Sequence, residues 1–226
     1  MKERIKRIPI IGPTLRKIHG ALYRQKPFPG SEEYWTHRYN SGGHSGAGSC
    51  HKLAEFKAEI LNDFVNRNNV IAIIEYGCGD GNQLRLARYP SYVGFDVSPR
   101  AIALCQDAFR DDKTKRFGLT SEYKGETAQL TLSLDVIYHL IEDNVYCSYM
   151  KRLFNSSERF VIVYSSNYDE QQAYHERHRQ FTKWVETNNS CWTLMRHIPN
   201  RFPYEGNDEE GSLSDFYIYE RLSSSS

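Results

Sequence analysis

The chain lacks the features that mark several large classes of protein. No apolar stretch among its 226 residues is long enough to cross a bilayer, and no signal-peptide pattern opens it. Its five cysteines, Cys50, Cys78, Cys105, Cys147 and Cys191, are odd in number and form no C-x-x-C pair. That argues against a metal-thiolate cluster and a disulfide framework and favours reduced thiols in a cytoplasmic protein. Net charge is only +1, so the chain as a whole has no electrostatic pull on nucleic acid. The proline-aromatic motifs N-P-P-Y and D-P-P-Y, which target the amine of a flipped base, are absent as well. The length suits one domain with one sizeable core.

What the chain does have is a glycine turn set between a strand and a helical pattern. Val70 to Ile74 is a β-branched apolar run of the kind a central parallel strand needs, and Leu84 to Arg88 reads as the start of a helix. Between them lies Glu75-Tyr76-Gly77-Cys78-Gly79-Asp80-Gly81-Asn82. Glycines here admit positive φ and let backbone N–H groups approach a nucleotide-like ligand. Carboxylates flanking the turn would repel a pyrophosphate but tolerate a cationic ligand. A second strand, Tyr92 to Asp96, ends in an acid placed to accept hydrogen bonds from ribose hydroxyls, and Val97 follows it. Ser98-Pro99 then supplies an N-cap and a first-turn proline for a helix over Arg100 to Phe109.

Further strands are expected at Lys115 to Leu119, Leu130 to Leu134, Arg159 to Ser165, Trp192 to Ile198 and Ser214 to Glu220. Helices are expected at Leu53 to Asn66, Asn144 to Phe154 and Tyr174 to Glu186. This alternation predicts a doubly wound α/β sheet.

The turn Glu75 to Gly81, with Asp96 and the segment Ser133-Leu134-Asp135-Val136, resembles motifs of the class I S-adenosylmethionine-dependent methyltransferases. The resemblance spans about Glu33 to Tyr219 and implies a Rossmann-like seven-stranded, mostly parallel sheet with an antiparallel last strand. It implies S-adenosylmethionine as cofactor, contacted by Glu75, Gly77, Cys78, Gly79, Gly81, Asn82, Asp96, Val97 and Asp135. Adenine is expected near Gly118 to Glu122. The entry Trp35-Thr36-His37-Arg38-Tyr39 and the glycine- and serine-rich run after it resemble a lid, with Trp35 closing over the cofactor and Arg38 or loop N–H groups meeting its carboxylate.

The acceptor would lie beyond strands four and five. His139, just past strand four, is placed to take a proton from a hydroxyl. If Tyr174 to Glu186 is helical, His175, His178 and Arg179 share one cationic face suited to a phosphate or a sugar-like substrate. Two histidines near Asp135 or Asp169 could hold a divalent metal, but no carboxylate spacing is diagnostic and no metal site is assigned. The whole pattern resembles small bacterial methyltransferases found with polysaccharide-building enzymes, implying O-methylation of a small polar, sugar- or glycan-linked acceptor. Another small molecule, a protein, or a regulatory module that binds the cofactor without turnover are the alternatives. Nucleic acid is not expected as a partner.

Residues 1–30 form a basic extension, residues 31–222 the methyltransferase domain and residues 223–226 a frayed serine tail. Within the first 26 residues eight basic side chains face one acid, Glu3, among interleaved isoleucines and leucines. Such a segment suits peripheral contact with a membrane surface, or packing on the domain or a second subunit.

Overall fold

The computed structural model describes residues 27–222; most of the basic extension and the serine tail lie outside them. Seven strands form the main sheet: β1 (Ala72–Tyr76), β2 (Ser91–Asp96), β3 (Lys115–Leu119), β4 (Ala128–Leu134), β5 (Ser157–Ser165), β8 (Trp192–Ile198) and β9 (Asp215–Arg221). A separate hairpin is made by β6 (Glu170–Ala173) and β7 (Glu176–His178). Sheet order is β3-β2-β1-β4-β5-β9-β8, and β9 runs antiparallel to both of its neighbours. The expected seven-stranded sheet with one antiparallel last strand is therefore present.

Both faces of the central strands are covered, which is why β5 reads as the continuous apolar run Phe160 to Tyr164. Strand β4 alternates instead, with buried Thr131 donating to Leu153 O and buried Ser133 accepting from Tyr149 OH. On one face, Leu130, Leu132, Phe160 and Ile162 pack with Phe56, Leu61 and Phe64 of helix α2 (His51–Arg67). The alternate residues Val161 and Val163 face the other way, with Met150, Leu153 and Phe154 of α4 (Asp143–Asn155) and Phe181 of α5 (Phe181–Asn188). Ahead of α2 lies α1 (Ser31–Asn40); α3 (Pro99–Ala108) follows β2. As anticipated, the Ser98 hydroxyl caps α3 by accepting from Ala101 N, with Pro99 in the first turn. Among the described residues, no helix is long and apolar enough to cross a membrane.

Two helical expectations are corrected. After the glycine turn the chain makes only a 3₁₀ turn, Gln83–Leu86, instead of a helix from Leu84 to Arg88. Pro90 lies close behind; it restricts Tyr89 to extended backbone and leaves too few residues for a cooperative helix. Tyr174 to Glu186 is not one helix either. Its first part is the β6–β7 hairpin, with Glu170 paired to His178 and Ala173 to Glu176. Arg179 donates to the carbonyls of Leu140 (2.6 Å) and Ile141 (2.8 Å), and Arg177 also donates to Ile141 O (3.1 Å), so the hairpin is fastened to the segment after β4. Helix α5 starts only at Phe181, where Asp169 accepts from Gln180 N and Asn167 from Thr182 N, satisfying donors of the first turn. Arg179→Met should therefore destabilise the fold by roughly 1–3 kcal/mol, because the Leu140 carbonyl loses its donor while Ile141 O keeps Arg177. Chemical denaturation would measure it; an unchanged midpoint would show that the guanidinium is not the fastener.

Candidate active site

The sheet reverses direction of winding between β1 and β4, and a ligand cleft is expected outside the carboxyl ends of strands at such a point. A cleft of about 890 Å³ is found there. Of the residues anticipated for the cofactor, Glu75, Gly77, Cys78, Gly79, Asp96, Val97, Asp135 and Trp35 line it, and so does His139. Gly81, Asn82 and Arg38 do not. Gly81 turns toward α3, where an added Cβ would lie 2.9 Å from Phe109. Asn82 donates to Ser49 O at 2.5 Å, and Arg38 donates from Nε to His44 O at 3.0 Å while lying over the Trp35 ring. Asn82 and Arg38 hold the loop after α1 rather than the floor of the cleft. Thr120 reaches the cleft from the expected adenine segment.

The glycine turn is built for close approach. Gly77 has φ +80° and a Cβ there would lie 2.5 Å from Val136; at Gly79, φ +58°, it would lie 2.3 Å from Ser45 Oγ. Side chains are thus excluded at both positions. Asp96 is buried at the end of β2, and its carboxylate accepts from Gly79 N (3.0 Å) and Ser98 N (2.9 Å). Each oxygen keeps a lone pair for a further donor. Burial raises the Asp96 pKa against these hydrogen bonds. Burial likewise pushes Glu75 up to about 7, although Tyr92 OH donates to it at 2.6 Å. A hydrogen bond with Cys105, followed by burial, raises the Cys78 thiol.

The glycine- and serine-rich run after α1 is tied to the glycine turn by hydrogen bonds. Ser45 Oγ donates to Asp80 Oδ1 at 2.7 Å, Ser45 N donates to Asp80 Oδ2 at 3.1 Å, and Asp80 N returns a bond to Ser45 Oγ at 3.1 Å. Asp80, the acid within the glycine turn, thus faces the loop. Helix α1 is fixed at its start by Glu142, which accepts from Ser31 N (2.9 Å) and Ser31 Oγ (2.6 Å).

Asp135 sits in a left-handed conformation (φ +58°) and accepts from Lys57 Nζ (2.8 Å), Ser214 Oγ (2.9 Å) and Tyr138 OH (3.2 Å). Lys57 is fully buried. It was legible as the lone charge in the apolar stripe Leu53, Ala54, Ala58, Leu61 of α2, but its partner was not.

Beyond Asp135 lies a second cavity of about 290 Å³, lined by His139, His175, Glu176, His178 and Arg38 together with Trp35, Asp208 and Ser214. Trp35, Ser45, Asp135 and His139 border both spaces. His139 is half-buried, and desolvation depresses its pKa to about 4. Its Nδ1 meets His175 O at 3.1 Å, which favours the Nδ1–H tautomer and frees the Nε2 lone pair.

The cationic helix face does not exist. His178 is buried in β7 with Nδ1 2.6 Å from Ser166 Oγ, stacked against Tyr138 and Tyr168. Arg179 is spent on carbonyls and on Asp143. Only His175 stays beside His139, its ring parallel within 7° and 5.7 Å away.

Residues 50–203 match the profile of a methyltransferase domain family. This is more than half of the chain, which therefore belongs to that family. It is a methyltransferase. No protein of curated function matches it. Among solved structures, the fold is similar to magnesium protoporphyrin IX methyltransferase (ChlM) from Synechocystis PCC 6803 with bound SAM, at TM-score 0.60 and 14% identity, covering 84% of this chain and 97% of that one. N-methyltransferase NodS from Bradyrhizobium japonicum WM9 superposes with TM-score 0.60 at 14% identity over 76% of this chain and 98% of its own. The methyltransferase domain of bacterial CtHen1-C gives 0.57 at 18% identity, with coverages of 74% and 97%.

Two stability predictions follow from these geometries. Asp135→Asn strands the Lys57 ammonium without a counter-charge and should cost about 3–5 kcal/mol, most of it regained in the double variant Lys57→Met/Asp135→Asn. A double variant no more stable than Asp135→Asn would refute the pairing. For Glu75, the unfolded chain releases the proton near pH 4.5 and the folded chain near 7, so stability falls as pH rises through that window. Glu75→Gln should remove roughly 2–3 kcal/mol of that decline, seen as a flatter melting temperature against pH.

Proposed function

We propose that the chain transfers a methyl group from S-adenosylmethionine to a hydroxyl of a small polar, sugar- or glycan-linked acceptor. The cleft fits the cofactor on its own terms. Its buried acids Glu75 and Asp96 suit a cationic ligand with a ribose, and Gln83 at its wall has an Oε1 without a hydrogen-bond partner, ready for an ammonium. When bound, S-adenosylmethionine supplies an electrophilic methyl on sulfur. Asp96 would take the ribose hydroxyls, while the glycine turn brings backbone close to the amino-acid part.

The observation that carries the acceptor reading is the abutment of the two cavities at His139. An acceptor in the smaller cavity lies against Trp35, whose ring offers a face for a sugar, among the polar groups Glu176, Asp208 and Ser214. His139, with Nε2 free, is placed to accept the acceptor's hydroxyl proton as the hydroxyl oxygen gains its methyl. Positioning of the two reactants across this shared wall supplies most of the rate. With Arg179 and His178 taken up by structural contacts, Arg38 is the remaining arginine in the lining of the smaller cavity, fewer cations than a phosphate site usually gathers, and this favours a neutral polyol.

Titration calorimetry with S-adenosylhomocysteine should show saturable binding that Asp96→Ala abolishes while the variant remains folded by circular dichroism. His139→Ala should keep that binding and slow turnover by roughly 10²–10⁴-fold. The acceptor is found by screening nucleotide sugars and neutral glycans beside ribo-oligonucleotides for methyl transfer. Transfer to the oligonucleotides alone would overturn the sugar reading, and failure to bind the cofactor product at millimolar concentration would overturn the donor.

A further inference from the structure

His175 and Glu176 are adjacent in sequence, yet the tight β6–β7 turn aims both toward His139, 36 residues earlier. One nitrogen from each imidazole and a Glu176 carboxylate oxygen lie within 4.8 Å of one another. We infer that His139, His175 and Glu176 form a binding site for a first-row divalent cation at the wall between the cofactor cleft and the smaller cavity.

Three features support a ligand site over a chance meeting of side chains. The first is the donor set, two imidazoles and one carboxylate, which suits zinc, cobalt or manganese and leaves coordination positions open. The second is the support behind the donors. The His139 Nδ1 is turned to the His175 carbonyl at 3.1 Å, the kind of outer contact that fixes the ring and tautomer of a metal-binding histidine. Tyr34 stacks on His175 at 4.8 Å and the Trp35 edge meets His139 at 4.8 Å, so α1 holds both rings from one side. The third is access: all three donors line the smaller cavity, which also carries the Asp208 carboxylate. Metal–nitrogen and metal–oxygen bonds of about 2.0–2.2 Å call for the donors to draw together slightly, a shift available to a two-strand hairpin at the rim. The remaining contact, His175 Nε2 to Glu176 Oε1 at 3.5 Å, is long for a hydrogen bond and leaves both groups for a cation.

A cation here meets the acceptor oxygen directly. It would polarise the hydroxyl so that its proton passes to solvent while the oxygen takes the methyl from sulfur; with the ion bound, His139 is a ligand and no longer the proton acceptor. That catalytic use rests on the methyl-transfer reading above, whereas the binding of the ion does not.

The test uses the untagged full chain, stripped with chelator and titrated with Co²⁺. The expected result is one saturable equivalent per chain, with visible ligand-field absorption that Zn²⁺ displaces. His175→Ala and Glu176→Gln should each weaken binding at least tenfold, while His197→Ala, whose imidazole pairs with Asp215 at 2.8 Å, should bind like the parent chain. S-adenosylhomocysteine titrations in parallel report whether each variant is folded. Absence of saturable Co²⁺ binding, or undiminished binding in folded His175 and Glu176 variants, would overturn the site. A chain that binds Co²⁺ but not the cofactor product would overturn the donor assignment and leave the metal site standing.

Discussion

The buried pair of Lys57 and Asp135 is the constraint on which the site depends. An ammonium with no exposed surface survives only if a carboxylate faces it, and Asp135 does so from a left-handed backbone position at the end of β4. The same carboxylate gathers the Tyr138 and Ser214 hydroxyls. One side chain therefore joins α2, the turn after β4 and the lead into β9. Both cavities border this junction, so their separation and their shared wall at His139 are consequences of one desolvated ion pair.

Much of this architecture was legible in the sequence, for reasons that can be stated residue by residue. Strands β1 and β5 are buried on both faces and show as the apolar runs Ala72 to Ile74 and Phe160 to Tyr164, whereas β4 shows as the alternation Leu130-Thr131-Leu132-Ser133-Leu134. Ser98-Pro99 fixes the start of α3 by local chemistry alone, and the glycine turn is recognisable because few other residues can occupy it. Gly77, Gly79, Asp96, Val97 and Trp35 were found at the cleft for the same reason: local geometry dictated them. The segment from Tyr174 to Arg179 misled because its fate is decided from outside. Arg177 and Arg179 spend their donors on carbonyls of residues 140 and 141, a contact no local pattern encodes, and this draws the segment into a hairpin. Arg38 and Asn82 lie off the cleft for a similar reason, each being a polar residue in a motif that donates to a loop carbonyl.

The electrostatic character of the cleft follows from where its acids lie. Glu75 and Asp96 are both removed from water and both raised in pKa, while the nearest buried cation is already neutralised by Asp135. Such a space disfavours anions and rewards a ligand that brings positive charge with it. The smaller cavity is more mixed, setting aromatic edges, imidazoles and hydroxyls beside the Glu176 and Asp208 carboxylates and Arg38.

The latch between Ser45 and Asp80 has a kinetic meaning. The loop beside the cleft is tied to the turn that floors it, so displacing that loop to admit a ligand breaks three hydrogen bonds together. Where that displacement gates entry, the association rate at high ligand concentration levels off at the rate of opening.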